Sequence, residues 1–311
     1  MSQLRAIVDK LLTNVSSAYV PKGFISEEVL PQVKSKQYSG LLGKYGTSHL
    51  RIETTVKGGR GKYRQAETRV YSTQQYLIKG HGLEGFVSKE DYANVELPFD
   101  AERDETLGVS TILWLEKEKA LADTLNDPTI LTQNTTLSGS SQLNDFANSD
   151  PIGVFSTARQ TILNATGMMP NLAIMDIQVW NILRFHPQML DALGYKWARP
   201  GGLNEDEMAR AIGVDQVLYG TARYESAKEG QPSSLASVWG KSIVFAVAPD
   251  KPEILQKSIG YLVVPSDSQP RKVYKQSNFN PPGSTALLVE DEYDMLISDA
   301  KCGYLIASAV A

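Results

Sequence analysis

The sequence predicts a mixed α/β chain of the α+β class, and three observations support this prediction. A long helix is expected from Asp100 to about Leu125, helix and strand signals alternate from Asp150 to Ala248, and the remaining residues return to β structure. The 311 residues are enough for one large domain or two ordinary ones, each with its own core.

The composition excludes several classes of protein. Hydrophobic residues make up 42% and charged residues 21% of the chain, so it is neither disordered nor fibrous. The formal charge of −4 argues against a polycation that binds nucleic acid. The single cysteine, Cys302, excludes an internal disulfide framework or a cysteine-rich zinc module. Because there is neither a signal peptide nor an apolar run near the roughly 20 residues that span a bilayer, we expect a protein made and used in the cytoplasm.

The first part of the chain has little that could form a core. Apolar residues at helical spacing predict an amphipathic helix over residues 2–18, and Pro21 to Gly46 is expected to be an extended arm. Residues 50–56 and 63–71 are strand-like and flank a glycine-rich stretch, which predicts a β-hairpin. An isolated hairpin is marginal in water. We therefore expect close to a third of the chain to need a surface supplied by another subunit.

Helix and strand signals become regular further along the chain. Asp100 marks the start of the long helix, and Asp150 followed by Pro151 predicts a second helix start. Asn204 and Glu207 have the spacing of a capping box. Strands are expected at residues 172–175, 214–219, 238–248, 259–264, 271–275, 287–297 and 303–309.

Charge is distributed unevenly along the chain. Residues 1–97 carry 14 basic and 9 acidic side chains, whereas residues 98–311 carry 17 basic and 26 acidic ones. Asp100 to Asp127 alone holds eight acidic and three basic residues. This favours complementary surfaces within one chain or between copies, although two separately solvated faces would give the same counts. The basic residues of the hairpin region, here called the basic segment, are Arg51, Lys57, Arg60, Lys62, Arg64 and Arg69.

No residues in the sequence have the spacing of a catalytic or metal site. The histidines His49, His81 and His186 are not at metal-ligand spacing, and we expect His81 in a turn and His186 at a helix end. The stretch Gly58–Lys62 lacks the serine or threonine and the strand-to-helix context of a phosphate loop. Cys302 is expected to be a small buried side chain. The sequence thus predicts no enzyme, no cofactor and no metal.

Three local strings narrow the interpretation. The first is Leu137 to Phe146, with a helix opening at Ser149–Ile152; the second runs from Gly167 to Pro187, and the third from Val238 to Val244. In their order and spacing, these strings and the order of the predicted elements resemble the major capsid proteins of tailed bacteriophages. The resemblance extends over nearly the whole chain.

The resemblance implies the shell fold shared with encapsulins, in five parts. These are an N-terminal arm (1–50), an extended loop formed by a β-hairpin (51–97), a peripheral domain with a long spine helix (98–150), an axial domain (151–258) and β segments that return to the peripheral domain (259–311). It also implies hexamers and pentamers that form the icosahedral head of a virion around double-stranded DNA, assembled in the host cytoplasm. The basic segment would be an intersubunit contact that meets the acidic spine-helix region of a neighbour.

Two features of some family members are not expected here. The arm-like sequence begins almost at Met1, so we do not expect a scaffolding segment that a protease removes. We expect either a separate scaffolding protein or no scaffolding protein. Some members cross-link a loop lysine to an asparagine of a neighbour. Lys57 or Lys62 and Asn278 or Asn280 are the candidates, but solvated lysines are the better interpretation.

The resemblance also implies partners. These are further copies of the chain, a portal protein and packaged DNA that is contacted non-specifically, with no membrane; a decoration protein is left open. Two other functions remain as alternatives. An encapsulin-type compartment subunit would have the same fold around a cargo enzyme. A soluble α/β enzyme with an oligomerisation arm is favoured only by the alternation in residues 151–248, and the sequence lacks a recognisable acid, base or nucleophile set.

Overall fold

The computed structural model describes residues 7–47, 50, 52, 71–94, 100–195, 201–228, 230–249, 251, 256–266, 271–279 and 282–311. The first part of the described chain contains β1 (Ile7–Val8), α1 (Lys10–Ala18), α2 (Ser26–Val29), β2 (Gln32–Ser35), β3 (Ser39–Tyr45), β4 (Tyr71–Leu77), β5 (Lys79–Val87), α3 (Lys89–Asn94) and α4 (Ala101–Leu125). The middle part contains β6 (Asn134–Thr136), α5 (Pro151–Thr166), β7 (Leu172–Asp176), α6 (Ile177–Leu183), α7 (Pro187–Ala192), α8 (Glu205–Ile212), β8 (Gln216–Gly220), β9 (Arg223–Glu225), β10 (Leu235–Ser237) and β11 (Ile243–Ala246). The last part contains β12 (Gly260–Pro265), β13 (Arg271–Phe279), β14 (Ser284–Ile297) and β15 (Gly303–Ala307).

The first sheet has six strands and is built around the long strand β14. Its order is β1-β13-β14-β12-β2, and β5 also pairs with β14. Val273 of β13 and Val289 of β14 are fully buried and share a core cluster with Val109 and Leu113 of α4. The long helix therefore lies across one face of this sheet.

The second sheet has five strands in the order β6-β15-β11-β7-β8. Its strands β7 and β11 are buried along their whole length, and they contribute to the largest core cluster. Leu121 and Leu125, near the end of α4, also belong to that cluster. The long helix thus contacts the cores of both sheets.

The last strand of the described chain lies apart from the three strands before it. Residues 259–311 were expected to form β segments, and β12, β13 and β14 lie in the first sheet. Strand β15 instead lies inside the second sheet, between β6 and β11. Its first four residues are buried, so both faces of the strand need cover, which a central position provides.

Three helices begin where the sequence places N-capping residues. The Asp100 side chain accepts from the amides of Glu102 and Arg103 at the start of α4. Asp150 caps α5 by accepting from the Gly153 amide at 3.0 Å. The capping box that the sequence predicts before α8 is also present. These helix predictions are confirmed.

The N-terminal predictions were partly wrong. The expected helix over residues 2–18 begins only at Lys10, because Ile7 and Val8 pair with β13. Asp9 then caps the helix, accepting from the amides of Leu11 and Leu12. The arm expected from Pro21 to Gly46 contains α2, β2 and β3. The strand partners of these residues lie far away in the sequence, so local periodicity does not reveal them.

Candidate intersubunit surface

The N-terminal segment packs against α4 of its own chain. Leu12 of α1 is 3% exposed and joins Val109 and Leu113 in one core cluster. The Trp114 indole N–H of α4 donates to the Tyr19 carbonyl oxygen at 3.0 Å. The expectation that the beginning of the chain needs a surface from another subunit is therefore wrong for this segment, because its own chain supplies the core.

A buried carboxylate, Glu118 of α4, joins three parts of the chain. Its Oε2 accepts from the Ser26 amide at 2.8 Å, and its Oε1 accepts from the Ile25 amide at 3.0 Å. Oε1 also accepts from the indole N–H of Trp239 at 2.6 Å. Burial raises the pKa of Glu118, while these hydrogen bonds act in the opposite direction. Glu118 thus fixes the N-terminal segment and the loop before β11 to the same turn of α4.

A cluster of paired charges lies next to Glu118. Lys117 Nζ is 2.7 Å from Glu27 Oε1 and 3.9 Å from Asp291 Oδ2. Arg271 Nη2 is 2.7 Å from the same Asp291 oxygen. Lys117, Arg271 and Asp291 are each less than 5% exposed. Because each buried charge has an opposite partner, this cluster holds the N-terminal segment, α4 and the first sheet together.

Strands β3 and β4 form an antiparallel ladder that connects to residues 46–70. The base of this ladder is fixed to the first sheet. The Leu77 amide donates to Asp294 Oδ2 at 2.9 Å, and Gln74 Nε2 donates to the Ile297 carbonyl oxygen at 3.0 Å. The described end of the chain before residue 48 and its return at Tyr71 are therefore joined through a well-anchored ladder.

The basic segment lies outside the described residues, so its role as an intersubunit contact stays a prediction. The same holds for the cross-link candidates Lys57, Lys62 and Asn280. Asn278 falls within β13. The surface expected to receive the basic segment, the acidic face of α4, is described.

Part of the acidic charge of α4 is used within the chain. Glu102 accepts from Lys275 Nζ at 2.6 Å. The side chains of Glu116 and Asp123 are 55% and 62% exposed, and Asp104 is exposed as well. These last three residues are here called the exposed carboxylates of α4. Asp123 pairs with Lys119, and Glu116 Oε1 lies 3.5 Å from His81 Nδ1, but all three side chains stay accessible to a basic partner.

Large apolar side chains are exposed on several elements, of which four carry the most exposed ones discussed here. The exposed fractions are 72% for Leu11 of α1, 67% for Leu41 of β3, 56% for Ile112 of α4 and 68% for Leu235 of β10. Single exposed apolar residues are ordinary on a monomer. Their occurrence on several elements suits a subunit with neighbours on more than one side.

The described histidines have structural partners. His186 precedes α7; its Nδ1 accepts from the Gln188 amide at 3.2 Å, and its Nε2 lies 3.0 Å from Ser149 Oγ. Burial lowers the pKa of His186, which favours the neutral ring. His81 lies in β5, not in a turn as expected, and stacks on Tyr293 with ring centroids 4.4 Å apart.

Cys302 is fully buried, as expected, and burial raises the pKa of its thiol to about 12. A thiol with such a pKa is a poor nucleophile at neutral pH. Within the described ranges, no group of three or more metal-binding side chains comes together. In the same residues, no helix has the length and apolar character needed to cross a membrane.

Two curated proteins are similar to this chain, whereas no family model matches it. The major capsid protein of Burkholderia phage BcepMu is 25% identical over 251 residues, which cover 80% of this chain and 78% of that protein. The major capsid protein of Pseudomonas phage JBD67 is 24% identical over 248 residues, which cover 79% of this chain and 78% of that protein.

Solved structures share the fold over nearly the full length. A phage-related protein from Bordetella bronchiseptica RB50 has a TM-score of 0.75 at 23% identity, covering 98% of both chains. The capsid structure of cyanophage P-SCSP1u has a TM-score of 0.58 at 10% identity, and the match covers 99% of this chain and 90% of that chain. A virus-like particle from Pyrococcus furiosus has a TM-score of 0.53 at 13% identity, and the match covers 95% of both chains. The predicted mixed α+β shell fold is confirmed.

Proposed function

We propose that this chain, a distant homologue of phage major capsid proteins, forms the hexamers and pentamers of an icosahedral tailed-phage head around double-stranded DNA. The observation that carries the proposal is the match over about four-fifths of the chain to two major capsid proteins, at 80% and 79% coverage. Capsid proteins are structural components of the virion, so the proposed role is structural and not enzymatic.

The packing within one chain supports assembly from folded subunits. Glu118 and the neighbouring charge cluster hold the N-terminal segment, α4 and both sheets together before any neighbour is added. Partners that are already ordered associate with little backbone change. The exposed leucine and isoleucine side chains supply contact area, and full burial of each is worth about 1.5–3 kcal/mol.

We retain the division of the chain as part of this proposal, with two changes. Residues 1–50 form the arm, 98–150 the peripheral domain with α4 as its spine helix, and 151–258 the axial domain. Residues 51–97 contain the extended loop, but β5 within them pairs with β14 and belongs with the first sheet. Of residues 259–311, β12 to β14 belong with the peripheral domain, whereas β15 is a strand of the axial sheet.

Within a capsomer, the basic segment of one copy faces the exposed carboxylates of α4 in the next. An exposed charge pair is worth only about 0–1 kcal/mol, so these pairs set register and exclude wrong partners more than they add strength. The test reverses three charges together, by substituting glutamate for Arg60, Lys62 and Arg64. Assembly should be impaired, while circular dichroism and the melting temperature of the subunit stay unchanged.

The matched control makes the same change of net charge elsewhere on the surface. Lys22, Lys34 and Lys36 are exposed and lie outside the proposed contact, so their substitution by glutamate should leave assembly intact. Normal particles from the triple variant of the basic segment would refute the pairing. Equal loss of assembly in both triple variants would also refute it, because net charge alone would then explain the effect.

Size-exclusion chromatography with negative-stain microscopy tests the function itself. The purified chain, expressed alone and then with a scaffolding protein, should form closed shells of megadalton size. A chain that stays a monomer or dimer under all of these conditions would overturn the proposal.

A second candidate is a cellular compartment subunit. The likeness to the virus-like particle from Pyrococcus furiosus favours it at the level of fold only. The contents of native particles separate the two: packaged DNA with a portal protein supports the phage head, and an enclosed cargo enzyme supports the compartment.

A further inference from the structure

We propose that a basic cleft beside the far end of the β3–β4 ladder, where Lys44 pairs with Ser72, is a binding site for a phosphate group. The cleft has a volume of about 400 Å³ and lies where the ladder meets the loops around β12 and β15. Lys44, Lys257 and Lys301 line it, together with the hydroxyl-bearing residues Thr47 and Ser72. This site does not depend on shell assembly, so it can be tested separately from the proposed function.

Lys257 is the central observation. Its side chain is 6% exposed, and the nearest carboxylate oxygen, Asp299 Oδ2, is 3.9 Å from Nζ. That distance allows an ion pair but is too long for a hydrogen bond. Burying a charged group without hydrogen-bond partners is costly. Among the described residues we find no hydrogen-bond acceptor for the Lys257 ammonium, and an anion in the cleft would supply one.

Asp299 does not fill this role, because its carboxylate is held by the backbone. Its Oδ1 accepts from the Lys301 amide at 3.1 Å, at the start of the short turn Ala300–Cys302. This hydrogen bond directs the carboxylate to the main chain and leaves Oδ2 at its long distance from Lys257.

The charge of the cleft selects the class of ligand. Of the residues that the structure describes, three lysines and one aspartate line it, which gives these residues an excess of two positive charges. A single carboxylate ligand would compensate only one of them. A phosphate group carries up to two negative charges and several acceptor oxygens, which suits three ammonium groups and two hydroxyls. Free phosphate offers both charges on one group, whereas a nucleic acid offers one negative charge on each of two neighbouring phosphodiesters.

Binding of inorganic phosphate to the purified full-length chain, measured by calorimetry at constant ionic strength, tests the proposal. Saturable binding is expected, and Lys257→Met should weaken it at least about tenfold, which corresponds to about 1.4 kcal/mol. Lys119→Met is the matched control, since it removes one positive charge on α4 away from the cleft. It should bind phosphate as the unaltered chain does.

Two further experiments identify the chemical source of the phosphate group and provide a second variant in case the first does not fold. Lys301→Met at the exposed rim should weaken binding severalfold, and it serves as the test if Lys257→Met does not fold. Displacement of phosphate by a short DNA oligonucleotide supports a phosphodiester ligand, and its absence supports free phosphate. The proposal is overturned by any of three results: no saturable binding, equal binding by the variant chains, or acetate binding as tightly as phosphate.

Discussion

Replacing Glu118 with glutamine should destabilise the subunit and release its N-terminal segment. The carboxylate accepts hydrogen bonds from two backbone amides, of Ile25 and Ser26, and from the Trp239 indole N–H. A glutamine side chain keeps one acceptor oxygen but places an NH₂ group where the second oxygen was. At least one of the three donors then faces another donor and loses its partner.

The expected size follows from the cost of an unsatisfied buried donor, about 1–3 kcal/mol. Glutamine also removes the desolvation cost of the buried charge, the cause of the raised pKa of Glu118. The two effects oppose each other, and we expect a net loss of about 1–2 kcal/mol in the free energy of unfolding. Glu118→Met, which leaves all three donors unpaired, should cost more.

Urea unfolding of the unassembled subunit measures this loss, and limited proteolysis tests its location. Cleavage between α1 and β2 should become faster in the Glu118 variants. The control is Glu116→Gln on the same helix, because the Glu116 side chain is 55% exposed and its loss should cost less than about 0.5 kcal/mol. Equal stability and equal proteolysis for both glutamine variants would show that the carboxylate does not hold the segment.

Three further predictions concern other residues. Gly108→Ala should raise the free energy of unfolding by up to about 1 kcal/mol in urea titrations, because glycine is a poor helix former and the added methyl group would meet open space; a loss of stability would contradict this. Cys302 should resist thiol reagents at pH 8 in the folded chain and react once the chain unfolds, and rapid labelling of the native protein would contradict its burial. The lowered pKa of His186 means that the unfolded state takes up the proton first on acidification. Its contribution to stability should be complete above about pH 6.5 and be lost as the pH falls to the folded pKa, whereas His186→Asn should show a shallower fall in acid unfolding curves.

The parts of the fold that could be predicted are those set by nearby residues. The Asp150–Pro151 pair and the Asn204–Glu207 spacing place helix starts correctly, because caps are made within a few residues. The short strands β1 and β2 were missed, since each pairs with a strand more than 200 residues away, β1 with β13 and β2 with β12. Strand β6 was also missed, because its partner β15 lies 171 residues further along the chain.

The burial of Glu118 and its hydrogen bonds to distant residues could not be predicted from the local sequence pattern either. Residues 116–119 read Glu-Lys-Glu-Lys, which is typical of a solvated helix face. Lys117 and Glu118 are nevertheless buried, because Glu27, Ile25 and Trp239 approach them from distant parts of the chain. The basic segment was predicted from composition alone, and it lies outside the described residues.

The position of β15 affects when the subunit can mature during synthesis. This strand is the last in the described sequence, yet it sits between β6 and β11 and hydrogen-bonds to both. Until Gly303–Ala307 has left the ribosome, β6 cannot join the sheet and one edge of β11 stays unpaired. A polypeptide that ends before this strand therefore lacks the central strand of its second sheet, and we expect it to be less stable than the full chain.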